Sequence, residues 1–177
     1  PLCSSCDAVW PLISSDETGG AYVAWSRFSA DISLQRVTAS GDIAPGWPSE
    51  GLPVTSIPRP QDLNSIAPDG FGGVLVAWTD YRNSFPDGTT SLDIYVQRVL
   101  ADGTLAPGWP VNGVPATRAP GRQTYPVIIG DGAGGAFISW DDETLLDIYL
   151  QHLTPGGAVA AGWPANGMPV CIDPSTQ

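Results

Sequence analysis

The feature of this sequence that most constrains its fold is a unit that occurs three times. Each copy contains a Gly-Gly turn preceded by an Asp, an apolar run that ends at Trp, a DI segment and a GWP tripeptide. The turn Asp precedes the second Gly by four residues in every copy: Asp16/Gly20, Asp69/Gly73 and Asp131/Gly135. Because repetition at fixed spacing is the signature of repeat architectures, three equivalent structural units are predicted.

The length of the chain suits one domain built from these units. It has 177 residues, and the units span approximately residues 1–53, 54–115 and 116–169, with 170–177 starting a further unit. The link between the Trp and the DI segment varies in length, because the second copy carries the insertion YRNSFPDGTTS. We therefore expect a single repeat domain over 1–177 with a loop inserted in its second unit.

The composition of each unit favours short β-strands joined by tight turns. Gly and Pro contribute 21 and 18 residues, and no segment has a convincing 3.6-residue apolar period. The runs VLVAW and AFISW are expected to be strands buried on both faces, whereas DIYVQRV alternates as a half-exposed strand does. An all-β fold with about four antiparallel strands per unit is therefore predicted.

The segment GDGAGGAFISW has Gly130, Gly132 and Gly135 in the G-x-G-x-x-G spacing of nucleotide-binding loops. Such a loop must open a helix, because the N-terminal N–H groups of that helix hold the phosphate. Here the glycines lead into a predicted strand, and the equivalent segments of the other two copies lack the spacing. We therefore interpret the glycines as a hairpin turn whose Asp bonds to its own backbone.

Units of this length with DG-x-GG, AW-x-D-x-R, DIY-x-QR and GWP segments resemble the blades of β-propellers. They look most like the tandem repeats of large secreted and surface proteins of bacteria. The resemblance implies four-stranded antiparallel blades, a secreted, extracellular or cell-surface location, and a scaffold or binding role without standard catalytic residues. Propellers normally have about four to eight blades. Three blades would leave two apolar faces exposed, so we expect them to complete a propeller or a fibre by self-association, as a homodimer or a head-to-tail polymer. The alternative is that the three units are a segment of a longer array.

The composition of the chain argues against a nucleic-acid partner, membrane insertion and a catalytic triad. The net charge is −11 with only seven basic residues, so the chain lacks the basic footprint that nucleic acids require. No apolar run reaches the roughly 18–20 residues that cross a bilayer, so membrane insertion is not expected. The single histidine, His152, makes a Ser-His-Asp set implausible. We therefore expect a protein that is not an enzyme and requires no cofactor.

Cys3, Cys6 and Cys171 are candidates for disulfide bonds. Cys171 could pair with one N-terminal Cys and clasp a ring or link subunits, Cys3 could pair with Cys6, or the thiols could be free. His152 would complete a nominal zinc set, but it occupies the place of an Arg in the other copies, which favours an ordinary strand residue.

Two sets of equivalent residues allow a structural and a functional interpretation. Turn aspartates can cap their own backbone or supply hard oxygen ligands for Ca²⁺; they are Asp16, Asp69 and Asp131. The tryptophans of the GWP segments can pack between blades or present platforms for glycans; they are Trp47, Trp109 and Trp163. A further acidic group, Asp141–Glu143, is interpreted as a solvated loop.

These observations favour a secreted, non-catalytic structural or scaffold subunit that self-assembles through its terminal blades. The alternative is a carbohydrate-binding, lectin-like β-propeller module whose partners are surface glycans. A glycoside hydrolase ranks third, because a carboxylate pair cannot be selected from the many aspartates of the chain.

Overall fold

The computed structural model describes residues 8–27, 31–84 and 91–171. This part of the chain contains β-strands and no helix. The all-β prediction is therefore confirmed. The strands are β1 (Ala8–Ser15), β2 (Ala21–Arg27), β3 (Ile32–Val37), β4 (Leu52–Pro53), β5 (Gln61–Pro68), β6 (Val74–Asp80), β7 (Asp93–Val99), β8 (Val114–Pro115), β9 (Gln123–Gly130), β10 (Ala136–Asp142), β11 (Asp147–Leu153) and β12 (Met168–Pro169).

The strands form three separate sheets of four antiparallel strands each. Strands β1–β4 form blade 1, β5–β8 form blade 2, and β9–β12 form blade 3, and within each blade the strands pair in chain order. The fourth strand of each blade has only two residues, so it covers part of the third strand. The prediction of three four-stranded, propeller-like blades is confirmed.

Blade 2 lies between the other two blades. Its first strand, β5, packs against the first strands of both neighbours, β1 and β9. One apolar cluster joins blades 1 and 2 and contains Tyr22, Trp47 and Trp78. A second cluster joins blades 2 and 3 and contains Trp109 and Trp140. The core of this protein therefore consists of two layers, each between adjacent sheets, rather than one central core.

The Gly-Gly segments are hairpin turns, as the sequence predicts. In blade 2 the Asp69 carboxylate accepts hydrogen bonds from the backbone N–H groups of Phe71 and Gly73, at 2.8 Å each. A Cβ atom on Gly73 would collide with the Val99 carbonyl oxygen and with that carboxylate. In blade 3 the equivalent glycines lead directly into strand β10, so they do not open a helix. The prediction of a turn instead of a nucleotide-binding loop is confirmed.

In each blade, a buried glutamine of the third strand forms a hydrogen bond with the GWP turn. In blade 2 the Gln97 Nε2 atom donates to the Pro110 carbonyl at 2.8 Å, and Gln97 Oε1 accepts from the Arg98 N–H at 3.0 Å. The Trp78 ring lies against Gly113 at the end of the same turn, where a Cβ atom would collide with it. Gln35 and Gln151 repeat the contact in blades 1 and 3. The DIY-x-QR and GWP motifs are therefore two halves of one packing arrangement.

Burial of the central strands differs from the sequence expectation in two places. The DIYVQRV strand, β7, was expected to be half exposed, but all seven of its residues are buried. The AFISWDD strand, β10, was expected to be buried on both faces, but buried and less buried residues alternate along it. The reason is position in the assembly of blades, because blade 2 is covered on both faces and blade 3 on one. Asp141 and Asp142 also belong to β10 and not to a loop, and Asp142 is buried.

Candidate functional site: the blade joints and the open face of blade 3

The joint between blades 1 and 2 brings two donors to one carbonyl oxygen. Arg36 Nη1 and Trp47 Nε1 of blade 1 both donate to the Ala101 carbonyl oxygen of blade 2, at 3.0 and 3.1 Å. Trp47 is buried, and its ring packs against that of Tyr22 with centroids 5.8 Å apart. Tyr22 Oη also donates across the joint, to the Gly72 carbonyl at 2.6 Å. The joint thus combines apolar burial with hydrogen bonds that fix the position of the next blade.

The joint between blades 2 and 3 uses the equivalent residues. Trp109 Nε1 donates to the Pro155 carbonyl oxygen at 2.9 Å, and Arg98 Nη1 lies 3.4 Å from the same oxygen. Gly108 packs closely against Gly156 of blade 3, where a side chain would not fit. The same pair of residue types therefore connects each blade to the next one.

Each joint arginine is held by the turn aspartate of its own blade. Arg98 Nε and Nη2 both contact Asp69 Oδ2 at 2.8 Å, and the two side chains are 10% and 0% exposed. Arg36 makes the same pair with Asp16 in blade 1. Although burial by itself raises the pKa of Asp16, hydrogen bonds from Thr18, Arg36 and Gly20 outweigh it and hold that pKa well below its usual range. The ion pair therefore positions the guanidinium for the next blade.

The calcium interpretation of these aspartates finds no support in their contacts. The carboxylate oxygens of Asp16, Asp69 and Asp131 already accept from backbone N–H groups and from a basic side chain. Within the described residues, no cluster of three or more potential metal-ligating side chains occurs. The turn-capping interpretation therefore describes what these carboxylates do.

In blade 3, His152 and Trp163 occupy the positions of the joint arginine and tryptophan. His152 Nε2 lies 2.8 Å from Asp131 Oδ2, so the imidazole takes the place of the guanidinium. The pKa of Asp131 is lowered: burial opposes the shift, but hydrogen bonds from His152 and from the turn backbone outweigh it. His152 also stacks on Phe137 with ring centroids 4.2 Å apart and meets Trp163 edge-on at 5.7 Å. This aromatic group occupies the position that the joint arginine and tryptophan occupy in the other two blades.

The surface around this group is here called the open face of blade 3. It consists of Ile129, Phe137, Ile148, Leu150, Trp163 and Val170. Ile129 is 59% exposed, whereas Ala67 at the equivalent position of blade 2 is buried in the core. The other members correspond to buried residues of the second cluster, which are Leu75, Ile94, Val96, Trp109 and Ala116. The open face therefore has the side chains of a blade joint without a neighbouring blade among the described residues.

Blade 1 presents the other half of such a joint. Ile13 of strand β1 is 74% exposed, whereas the equivalent Ile128 of blade 3 is buried against blade 2. Ala39 is exposed at the turn position where Ala101 and Pro155 offer their carbonyl oxygens to a preceding blade. Blade 1 therefore has an exposed face of the kind that blades 2 and 3 use to receive their neighbours.

The tryptophans and cysteines proposed from the sequence have different surroundings. Trp47 and Trp109 are buried between blades, so neither ring presents a face to a ligand, whereas Trp163 is half exposed. Cys3 and Cys6 lie outside the described residues, and Cys171 is half buried just after β12. The pairing of the joint arginines with the turn aspartates was not predicted from the sequence. Their occurrence in every unit, with His152 substituting once, was the available signal.

Comparison with protein-family models finds no match for this chain, and the search of curated proteins finds no significant relative. The described part of the chain contains no helix long and apolar enough to cross a membrane. The class is therefore defined by the fold alone, as an all-β repeat protein of propeller-like blades connected by one recurring joint.

Proposed function

We propose that this protein is a non-catalytic structural subunit that assembles head to tail. Blade 1 of one copy docks onto the open face of blade 3 of another. The observation that carries the proposal is the correspondence between the open face and the two joints within the chain. Residues that are buried at a joint in blades 1 and 2 have exposed or half-exposed apolar equivalents in blade 3.

The chemistry of the two exposed faces supports this pairing. Trp163 Nε1 takes the position of the donors that reach Ala101 and Pro155, and the exposed turn at Ala39 offers the equivalent carbonyl oxygen. Ile13 would fill the place that Ile128 fills between blades 2 and 3. The two faces are different from each other, so the contact is heterologous: a ring forms if the rotation closes, and a filament forms otherwise.

The number of blades in a closed ring gives a simple expectation. Two copies of three blades make six, which lies within the range of about four to eight blades in propellers. A contact that does not close would instead produce a fibre of indefinite length. We also propose that the assembly is secreted or displayed at a cell surface, on the basis of the resemblance of its repeats to those of bacterial surface proteins.

The experiment measures the native mass of the full chain by light scattering, with and without reductant. A dimer near twice 18.5 kDa is expected for the ring, and larger open-ended species are expected for the filament. Ile129→Asp on the open face and Ile13→Asp on blade 1 should each abolish self-association, because a buried unpaired carboxylate is costly. Mixing the two variants should restore heterodimers, since each retains the face that the other has lost.

Val111→Asp is the matched control, because Val111 is exposed in the GWP turn of blade 2 and belongs to neither face. It should assemble as the original chain does. A protein that stays monomeric at high concentration would contradict the proposal. Assembly that survives both Ile13→Asp and Ile129→Asp would show that a different surface is used.

A further inference from the structure

The structure contains an open cleft between the blades that is separate from the arginine and tryptophan contacts of the joints. The cleft has a volume of about 330 Å³ and is formed where β1, β5 and β9 begin. The same position of each blade contributes one large apolar side chain: Trp10, Leu63 and Tyr125. Its volume is at the lower end of the roughly 300–1,000 Å³ typical of ligand sites. The cleft is therefore suited in size to a small ligand or to the terminal unit of a polymer.

Two of these three residues are held in an unusual backbone conformation. Trp10 and Tyr125 have φ angles of 50° and 54°, and each precedes a proline. Left-handed backbone is uncommon for large side chains, and a following proline restricts the backbone further towards extended conformations. Both residues lie at breaks in the strand register, which are β-bulges. Bulges commonly redirect a side chain beside a functional site.

Blade 2 does not have this strained conformation at the equivalent position. Leu63 also lies at a register break, but it does not have a positive φ angle, and it packs against the apolar cluster between blades 1 and 2. Trp10 and Tyr125 are instead 70% and 66% exposed. The strained backbone therefore occurs where an aromatic side chain is presented to solvent at the cleft, and not where the equivalent residue packs inward.

Polar side chains that form hydrogen bonds line the cleft beside Trp10 and Tyr125. Arg122 Nε donates to Glu143 Oε2 at 2.7 Å, and Thr124 Oγ1 donates to Glu143 Oε1 at 2.9 Å. On the other side, Tyr81 Oη donates to Asp62 Oδ2 at 2.8 Å. Hydrogen bonds from Arg122 and Thr124 lower the pKa of Glu143, so this carboxylate is ionised at neutral pH. Each carboxylate has further lone pairs that can accept from hydroxyl groups of a ligand.

We propose that this cleft binds a neutral carbohydrate. Trp10 and Tyr125 would stack on the C–H face of a sugar ring, and Glu143, Arg122 and Asp62 would bond to its hydroxyl groups. Such a ligand needs both an apolar surface and several oriented donors and acceptors, which the cleft combines. An anionic ligand would meet two carboxylates beside a single guanidinium in a protein of net charge −11. This site is separate from the tryptophans of the GWP segments and does not depend on the proposed assembly.

The test is calorimetric titration of the full chain with neutral tetrasaccharides, namely maltotetraose, cellotetraose, mannotetraose and chitotetraose, with tetragalacturonate as an anionic comparison. At least one neutral sugar should bind. Trp10→Ala and Tyr125→Ala should each weaken that binding about tenfold or more, because an aromatic anchor is lost. Tyr125→Phe keeps the ring and should retain most of the affinity. Glu143→Gln should weaken binding without changing the shape of the site.

Phe71→Ala is the matched control, because Phe71 is an exposed aromatic residue that lies in the hairpin turn between β5 and β6 and does not line the cleft. Its affinity for the sugar should match that of the original chain. The proposal is overturned if no neutral sugar binds at millimolar concentration or if tetragalacturonate binds more tightly. It is also overturned if the Trp10 and Tyr125 variants bind as well as the Phe71 variant.

Discussion

Blades 2 and 3 have closely similar repeats but very different burial. In blade 2 every residue of the two central strands, VLVAWTD and DIYVQRV, is buried. In blade 3 buried and less buried residues alternate along AFISWDD, and only Gln151 and Leu153 of DIYLQHL are buried. Both blades have the same hairpin turns, the same glutamine contact with the GWP turn and the same strand pairing. The difference comes from the neighbours, because only blade 2 has a blade against each face.

A repeat protein has two sources of stability, which are contacts within a repeat and contacts between repeats. Contacts within a blade are local and recur in all three blades, whereas contacts between blades depend on a partner. Most joint positions of blade 3 have an apolar side chain, as the buried positions of blade 2 do, but these side chains have a different energetic role.

The largest difference is expected between Trp109→Ala and Trp163→Ala. Trp109 is buried at a joint, so its loss should lower the free energy of unfolding by about 3–5 kcal/mol. Trp163 is half exposed, and its loss should cost only about 1 kcal/mol. Urea unfolding at concentrations where the chain is monomeric measures both values. Equal losses would mean that Trp163 is as enclosed as Trp109 in solution.

The turn aspartates should show a smaller difference of the same kind. Asp69→Asn removes the partner of Arg98, a guanidinium that is only 10% exposed, and should cost about 3 kcal/mol. Asp131→Asn should cost about 1 kcal/mol, because its partner His152 has no fixed charge and is more exposed. Thermal and urea unfolding of the two variants test this order. A larger loss for Asp131→Asn would contradict it.

The pH dependence of stability should depend partly on Asp16. Its folded pKa is held below the ordinary value of about 3.9, so its stabilising contribution is complete above that value and is lost as pH falls towards the folded pKa. Asp16→Asn should therefore be less stable by about 2 kcal/mol at pH 7, and the difference should narrow below about pH 4. Urea unfolding at several pH values measures the difference. A gap that stays constant down to pH 2 would show that the charge of Asp16 does not stabilise the fold.

The smallest effect on stability is expected from His152→Arg, which gives blade 3 the residue of the other two joints. The free energy of unfolding of the monomer should change by less than about 0.5 kcal/mol, because the new ion pair is partly exposed. Self-association should become stronger, since the guanidinium would reach the exposed turn at Ala39 of a second copy. Sedimentation at several concentrations measures this, and unchanged or weaker association would count against the proposed joint.

Much of the fold could be predicted because its determinants are local in sequence. The turn at Asp69 needs an Asp and a Gly four residues apart, and strand β6, which contains Trp78, follows directly. Such patterns fix a hairpin regardless of the rest of the molecule. The joints could not be predicted in the same way, because Arg36 and Ala101 are 65 residues apart and meet only when two blades pack. The cleft was missed for the same reason, although Trp-Pro and Tyr-Pro at equivalent positions were a signal.

The sequence by itself determined the number of units, the all-β class and the turns, since each depends on residues close in the chain. Tertiary structure alone decided which equivalent residues are buried, because burial requires a neighbouring blade that the local pattern does not contain. It also decided that Asp16 and Asp69 hold the joint arginines in addition to capping their own turns. Trp10 and Tyr125 come together for the same physical reason, because a site formed between strands of different blades exists only after those blades have packed.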